Sequence, residues 1–174
     1  MKPSPTAVTS AFSRGARIGR GGPPRGMSAR WAEVLSRVPL FSGLGRRQLR
    51  ALAKIAEQVQ VKPGAAVVYR THPGEAVFVI LEGSAVVSTP TGAERVLGEG
   101  DYFGEIAVID GRPRSAAVHA QTELVVMVIG RRRFLQLMED EPSVARAVMV
   151  QLAARVRELE ENAARGSGRA TPRS

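Results

Sequence analysis

Hydrophobic and polar positions along the chain change period twice, and each change marks a change of element type. Residues 28–37 (SARWAEVLSR) and 45–57 (GRRQLRALAKIAE) carry apolar side chains three and four apart, with Leu49, Leu52, Ala53 and Ala56 on one face, which predicts two short helices. Pro39-Leu40-Phe41 lies between them, with Phe41 and Leu44 available to pin the turn into a core. From residue 59 the period falls to two. Residues 59–61, 65–69, 77–81, 85–88, 94–97, 116–120 and 124–129 are short runs rich in β-branched side chains. Pro63-Gly64, Pro73-Gly74, Glu82-Gly83, Pro90-Thr91-Gly92 and Gly98-Glu99-Gly100 separate them, and this spacing predicts a closed or sandwiched antiparallel sheet.

Helical spacing returns at 131–138 and at 142–164, where Pro142 suits a first turn and Asp140 or Glu141 suits its cap. In the last helix Ala145, Met149, Leu152, Val156, Leu159 and Ala163 form a heptad seam of under three heptads. Two readings stand: Val144 and Val148 lie on the β body while the seam at 145–163 meets a second copy, or the whole helix packs on its own domain.

A length of 174 residues allows one domain of ordinary size, and no apolar run approaches the ~20 residues of a membrane helix. Cysteine is absent, which excludes disulfide scaffolds and thiol nucleophiles and agrees with a cytoplasmic setting. His72 and His119 stand apart from any third ligand, so no metal is expected.

The net charge of +9 changes meaning when it is divided. Residues 1–26 hold five basic side chains and residues 165–174 three, with no acid in either; the remaining stretch has 17 basic against 16 acidic residues. Both tails are rich in Gly, Pro and Ser, so residues 1–27 read as a disordered basic leader and 165–174 as a disordered tail around a domain at 28–164. The leader lacks the apolar stretch of a secretory signal, and Gly21-Gly22-Pro23-Pro24 breaks the amphipathic helix of a transit peptide. Met27 opens the first helical pattern, so residues 1–26 also read as an upstream extension.

The candidate chemistry is concentrated in residues 100–120, GDYFGEIAVIDGRPRSAAVHA. Gly104 permits close backbone approach, and 105–109 predict one helical turn whose free N–H groups form an anion site. Arg114, after the rigid Pro113, supplies a guanidinium, with Ser115 and the Ala116 N–H as further donors. Glu105 sits amid this positive ring, where a sugar hydroxyl is a suitable donor to it. Such a site wants a phosphate and a hydroxylated ring side by side.

This stretch, with strands before it and helices after it, resembles the cyclic nucleotide-binding domain family over roughly residues 38–160, most specifically in FGEIAV followed by RPRSAAV. The resemblance implies an eight-stranded antiparallel β-roll, jelly-roll-like, with N-terminal helices and two C-terminal helices. It implies a ligand site of Phe103, Gly104, Glu105, Ile106, Ala107, Arg114, Ser115 and Ala116. In it Glu105 takes the ribose 2′-hydroxyl and Arg114 the cyclic phosphate, while Val148, Met149, Leu152 and Arg155 are candidate base or lid contacts. Cyclic AMP is the expected ligand, with cyclic GMP open, and the expected role is a non-enzymatic sensor signalling to an unidentified effector protein. The chain departs from the family at Arg70-Thr71-His72, where the turn glycine is displaced to Gly74, a change expected in a loop rather than in the site.

The ten residues after Ala164 hold no helix-turn-helix reader, so no direct DNA-binding domain is expected, and no membrane association. The alternatives are a β-roll scaffold without nucleotide binding, a subunit acting with a separate DNA-binding partner, and a nucleic-acid binder relying on its basic tails. A cupin-type enzyme lacks its clustered histidines. Arg131-Arg132-Arg133 reads as a solvated helix start, and Asp101 and Asp110 as turn and cap residues.

Overall fold

Two strands organise the molecule because both of their faces are covered. In a computed structural model, which describes residues 16–18 and 27–167, β4 (Ala76–Glu82) and β9 (Leu124–Gly130) are buried along almost their whole length. Their near-continuous apolar runs follow from this, since a strand between two layers needs no polar face. Phe78, Ile80, Val126 and Val128 point to one side, and Val77, Val79, Met127 and Ile129 to the other.

The strands preceding β4 are β1 (Ala16–Ile18), β2 (Ala56–Val61) and β3 (Ala66–Val68). Between β4 and β9 come β5 (Ala85–Ser88), β6 (Glu94–Leu97), β7 (Tyr102–Phe103) and β8 (Ala117–Ala120). They pair antiparallel in two sheets, ordered β1-β2-β9-β4-β7 and β3-β8-β5-β6. The eight strands β2–β9 are the β-roll expected from the sequence. One core lies between the sheets, where Phe78 and Phe103 stack at 4.9 Å.

The second core lies on the other face of β4 and β9, under helices α1 (Met27–Arg37), α2 (Arg46–Ile55), α4 (Arg131–Asp140) and α5 (Pro142–Ser167). A 3-10 turn at Pro39–Phe41 drives Leu40 and Phe41 into it, as the Pro-Leu-Phe signal suggests. Phe41 meets Phe134 of α4 edge-on at 6.2 Å, and Val144 and Val148 anchor the start of α5. The remaining helix, α3 (Glu105–Asp110), stands between β7 and β8. No helix among the described residues is long and apolar enough to cross a membrane.

Four boundaries differ from the sequence reading. Ala56 is not on the second helix: it opens β2, paired with Ile129, because the sheet ladder captures the backbone there. β7 was too short for a periodic signal. Ala16–Ile18, within the segment read as disordered, lie beside β2 in register Ala16 to Val61. Helix α5 passes Ala164 to Ser167, with Arg165 reaching back one turn to Glu161 at 3.5 Å. The rest of the leader and of the tail lies outside the described residues.

Phe134 is fully buried at the junction of α4, the 3-10 turn and the sheet, so Phe134→Ala is expected to cost about 3–5 kcal/mol. Urea unfolding followed by circular dichroism checks this; a loss below about 1 kcal/mol would contradict the packing described.

Candidate functional site

A cavity of about 680 Å³ opens between the second sheet, residues 101–118 and the inner side of α5. Its volume lies within the range of small-molecule sites. All eight residues singled out from the sequence, Phe103 to Ala107 and Arg114 to Ala116, line it.

Arg114 is the fixed point of this wall. Its guanidinium is buried and donates from Nη1 to the Gly104 carbonyl and from Nη2 to the Ala76 carbonyl, both at 2.7 Å. It also lies 5.6 Å from the centre of the Phe78 ring, within cation–π range. Its backbone is held as well: the Arg114 N–H donates to the His72 carbonyl and its carbonyl accepts from the Thr71 N–H, both at 2.9 Å. Burial lowers the guanidinium pKa, while Glu105 and Glu75 oppose that shift. A guanidinium has five N–H donors, so these two carbonyls leave capacity for an anion.

Gly104 makes this possible. Its φ of 90° is left-handed, and a Cβ built there would lie 2.4 Å from Arg114 Nη1. It caps the start of α3, whose first turn begins with Glu105. Gly74 has a related role, contrary to the expectation that its displacement affects only a loop. A Cβ at Gly74 would lie 2.3 Å from the Ala107 carbonyl oxygen, so the loop before β4 presses directly on α3.

Glu105 does not pair with Arg114. Its Oε1 accepts a 2.6 Å bond from Arg155 Nη1, reaching across from α5, while the carboxylate itself is 3% exposed. Burial raises the Glu105 pKa above the usual carboxylate range, although its own backbone N–H, Arg155 and Arg114 pull the other way. Tyr102 completes the cluster: burial and the Glu105 charge raise its phenol pKa, and a side-chain hydrogen bond with Arg155 opposes them.

The four candidate lid residues separate. Arg155 lines the cavity, whereas Val148 is buried in the helical core, Leu152 packs against that core and Met149 is 60% exposed. The sequence reading missed Tyr102, Thr89 and Arg95 on the sheet side, and Gln151, Ala154 and Glu158 on α5. Gln151, Ala154, Arg155 and Glu158 share one helical face by their spacing of three and four, a polar stripe masked by attention to the apolar seam. Asp101 and Asp110 act in turns as expected, accepting from the N–H groups of Gly98 (2.8 Å) and Arg112 (2.9 Å).

Arg131 is not a solvated helix start. Its Nε donates to the Val108 carbonyl at 3.0 Å, and its N–H donates to the Glu75 carbonyl at 2.7 Å. The first residue of α4 is thereby tied to the end of α3. Arg133 donates to the Ile55 carbonyl and faces Glu57 at 3.6 Å.

The raised Glu105 pKa fixes the sign of a pH effect. The folded chain holds that proton more tightly than the unfolded chain, so this group favours folding at acidic pH and loses that contribution as pH rises through its folded value. Wild-type stability relative to Glu105→Gln is therefore expected to fall as pH rises above the ordinary carboxylate value of about 4.3, as read by denaturant unfolding at each pH. A difference that grows with pH would mean that the Arg155 pairing outweighs burial.

Residues 58–141 match the sequence family described as cyclic nucleotide-binding domain. A cyclic nucleotide-gated potassium channel of Mesorhizobium japonicum is 36% identical over 121 residues, which is 70% of this chain and 34% of the channel. The chain therefore spans about a third of the length of that curated relative. Among solved structures, the regulatory domain of Toxoplasma gondii PKA crystallised with cAMP superposes with a TM-score of 0.64 at 26% identity, covering 75% of this chain and 50% of that one. A cyclic nucleotide-binding domain from Methylobacillus flagellatus covers 91% of both chains with a TM-score of 0.69 at 22% identity, a likeness of fold. With Gly104, Glu105 and Arg114 assembled on one wall of a β-roll cavity, this chain belongs to the cyclic nucleotide-binding domain family.

Proposed function

We propose that the chain is a non-enzymatic sensor that binds a cyclic nucleotide, cyclic AMP in the first place, and passes occupancy to an effector protein through its C-terminal helices. The observation that carries this reading is the buried Arg114 guanidinium, held by two backbone carbonyls on the wall that also presents Glu105. The cyclic phosphate is assigned to Arg114, Ser115 and the N–H groups of 105–107 and 116, where a positive side chain and a helix start favour an anion together. The ribose 2′-hydroxyl is assigned to Glu105. The base would extend toward the face of α5 that carries Gln151, Ala154 and Glu158. The cAMP complex of the Toxoplasma relative supports cyclic AMP as the first nucleotide to test.

Signalling follows from what the ligand must share. Arg155 already occupies Glu105, so a ribose hydroxyl arriving at that carboxylate changes the contact that holds the second half of α5. Arg131 offers a second link, because a shift of α3 reaches α4 through the Val108 carbonyl. Ligand moves this equilibrium by its difference in affinity for the two arrangements. The α5 seam supports a second copy as one receiver. Leu152 packs on the chain's own helical core, while Met149, Val156 and Leu159 remain 60%, 53% and 62% exposed.

Calorimetric titration of refolded, nucleotide-free chain with cyclic AMP and cyclic GMP tests the proposal. Micromolar or tighter binding, about −8 kcal/mol, is expected for the preferred nucleotide. Arg114→Ala is expected to weaken it at least ~10-fold, since a charge-assisted bond contributes ~1.5–3 kcal/mol. Silence toward both nucleotides in folded protein would favour the scaffold reading. Leu159→Glu, at a side chain that is 62% exposed, is expected to convert a dimer to a monomer in light scattering while leaving the melting temperature of the domain within a few degrees. A monomeric wild type would remove the seam from the proposal.

A further inference from the structure

The near-neutral body conceals a division between its two ends. Residues 27–55, which form α1, the 3-10 turn and α2, carry six basic side chains and one acidic one, Glu33, which pairs with Arg37 at 3.1 Å. Residues 56–164 carry 11 basic and 15 acidic side chains. With residues 1–26 included, the first 55 residues hold eleven basic side chains against that single acid, and nine of the eleven are arginine. Such an asymmetry lies outside the cyclic nucleotide cavity, to which α2 contributes no residue.

On α2 the charge is organised. Arg46, Arg50 and Lys54 recur every fourth residue, all three are exposed, and the helix has no acidic residue. None of the three has an ion pair or hydrogen-bond partner among the described residues. Arg47, off this line, turns instead to Glu141 at 3.0 Å. At 1.5 Å rise per residue the stripe is about 12 Å long, which matches the axial length of three to four phosphates on one strand of a duplex.

We propose that this helical end of the molecule is a docking surface for the phosphate backbone of duplex nucleic acid, independent of base sequence. Arginine predominates, and its planar fork fits phosphate oxygens better than an ammonium does. A single strand would need exposed aromatic side chains to stack its bases, whereas Trp31 and Phe41 are buried. A bilayer would favour apolar side chains among the cations, yet no large hydrophobic side chain described on α1 or α2 is exposed. The acidic excess of residues 56–164 offers a polyanion no competing net positive charge within that stretch.

Fluorescence anisotropy of a labelled mixed-sequence DNA duplex, titrated with the full chain at salt from about 0.05 to 0.2 M, tests this directly. The triple variant Arg46→Glu, Arg50→Glu, Lys54→Glu is expected to bind at least ~10-fold more weakly at about 0.15 M salt. Its plot of log affinity against log salt is expected to be shallower by about 2 to 3, at ~0.9 for each phosphate that the variant no longer neutralises. The three side chains are exposed and unpaired, so an unchanged circular dichroism melt attributes the weaker binding to the surface itself rather than to unfolding. Unchanged affinity and slope in the variant would overturn the proposal by assigning the duplex to residues 1–26. Tighter retention on phosphatidylglycerol vesicles than on duplex, or displacement of the duplex by poly-glutamate at equal charge, would overturn it in favour of a lipid or protein partner.

Discussion

The contact on which the site depends is the pair of hydrogen bonds from Arg114 to the carbonyls of Gly104 and Ala76. They join three parts of the chain that are distant in sequence: the first residue of β4, the residue that caps α3, and the segment that leads into β8. A cation this well buried is costly unless its donors are met, and backbone carbonyls meet them without adding a second charge. The guanidinium therefore keeps a net positive charge at the cavity wall. An arginine bound to a carboxylate instead would present a neutralised pair, with much less attraction for an anion. The Phe78–Phe103 stack beneath it excludes water, and the missing Cβ of Gly104 leaves room for Nη1.

Glu105 and Arg155 obey a different balance. The carboxylate is nearly inaccessible, the guanidinium is 38% exposed, and burial dominates the Glu105 pKa despite the 2.6 Å bond. A pair of this type contributes little net stability against an apolar replacement, yet removing one member leaves a buried charge without a partner. Its value is in specificity. It holds α5 in one angular position over the cavity, and it does so through a carboxylate for which a sugar hydroxyl is an alternative partner.

Much of this was legible in the sequence, for physical reasons that also mark where it stopped. The 100–116 segment could be read as one site because its residue types are distinctive together, and the structure does bring Gly104, Glu105 and Arg114 to one cavity wall; the left-handed φ of Gly104 was not part of that reading. Strand order and the two-sided burial of β4 and β9 depend on long-range pairing, so only their apolar runs were visible. Val148, Met149 and Leu152 stayed open between core, interface and ligand because an apolar residue at helical spacing serves all three equally well; the structure puts Val148 and Leu152 with the helical core and leaves Met149 exposed. Arg155 stood out once its geometry placed it opposite Glu105. Gly74 read as a loop change and Arg131 as a solvated helix start because their contacts are with backbone atoms of α3, which no side-chain pattern records.

Helix α5 is fastened unevenly along its length. Its first turns are fastened to the helical core by Val144, Ala147 and Val148, by Gln48 to Ser143 at 3.3 Å and by Gln151 to Ser42 at 3.0 Å. Ala147 also lies so near Gly43 that a Cβ there would be 3.3 Å away, which sets the depth of the fulcrum. Beyond Leu152 the helix is largely exposed, and Arg155 is the side chain that reaches back to Glu105 at the start of α3. A helix rises 1.5 Å per residue, so a small tilt about Ala147 moves the end of α5, some 20 residues on and about 30 Å away, by several ångströms. Under the proposed function, a change confined to one carboxylate reaches the exposed stripe of Met149, Val156 and Leu159 by this motion.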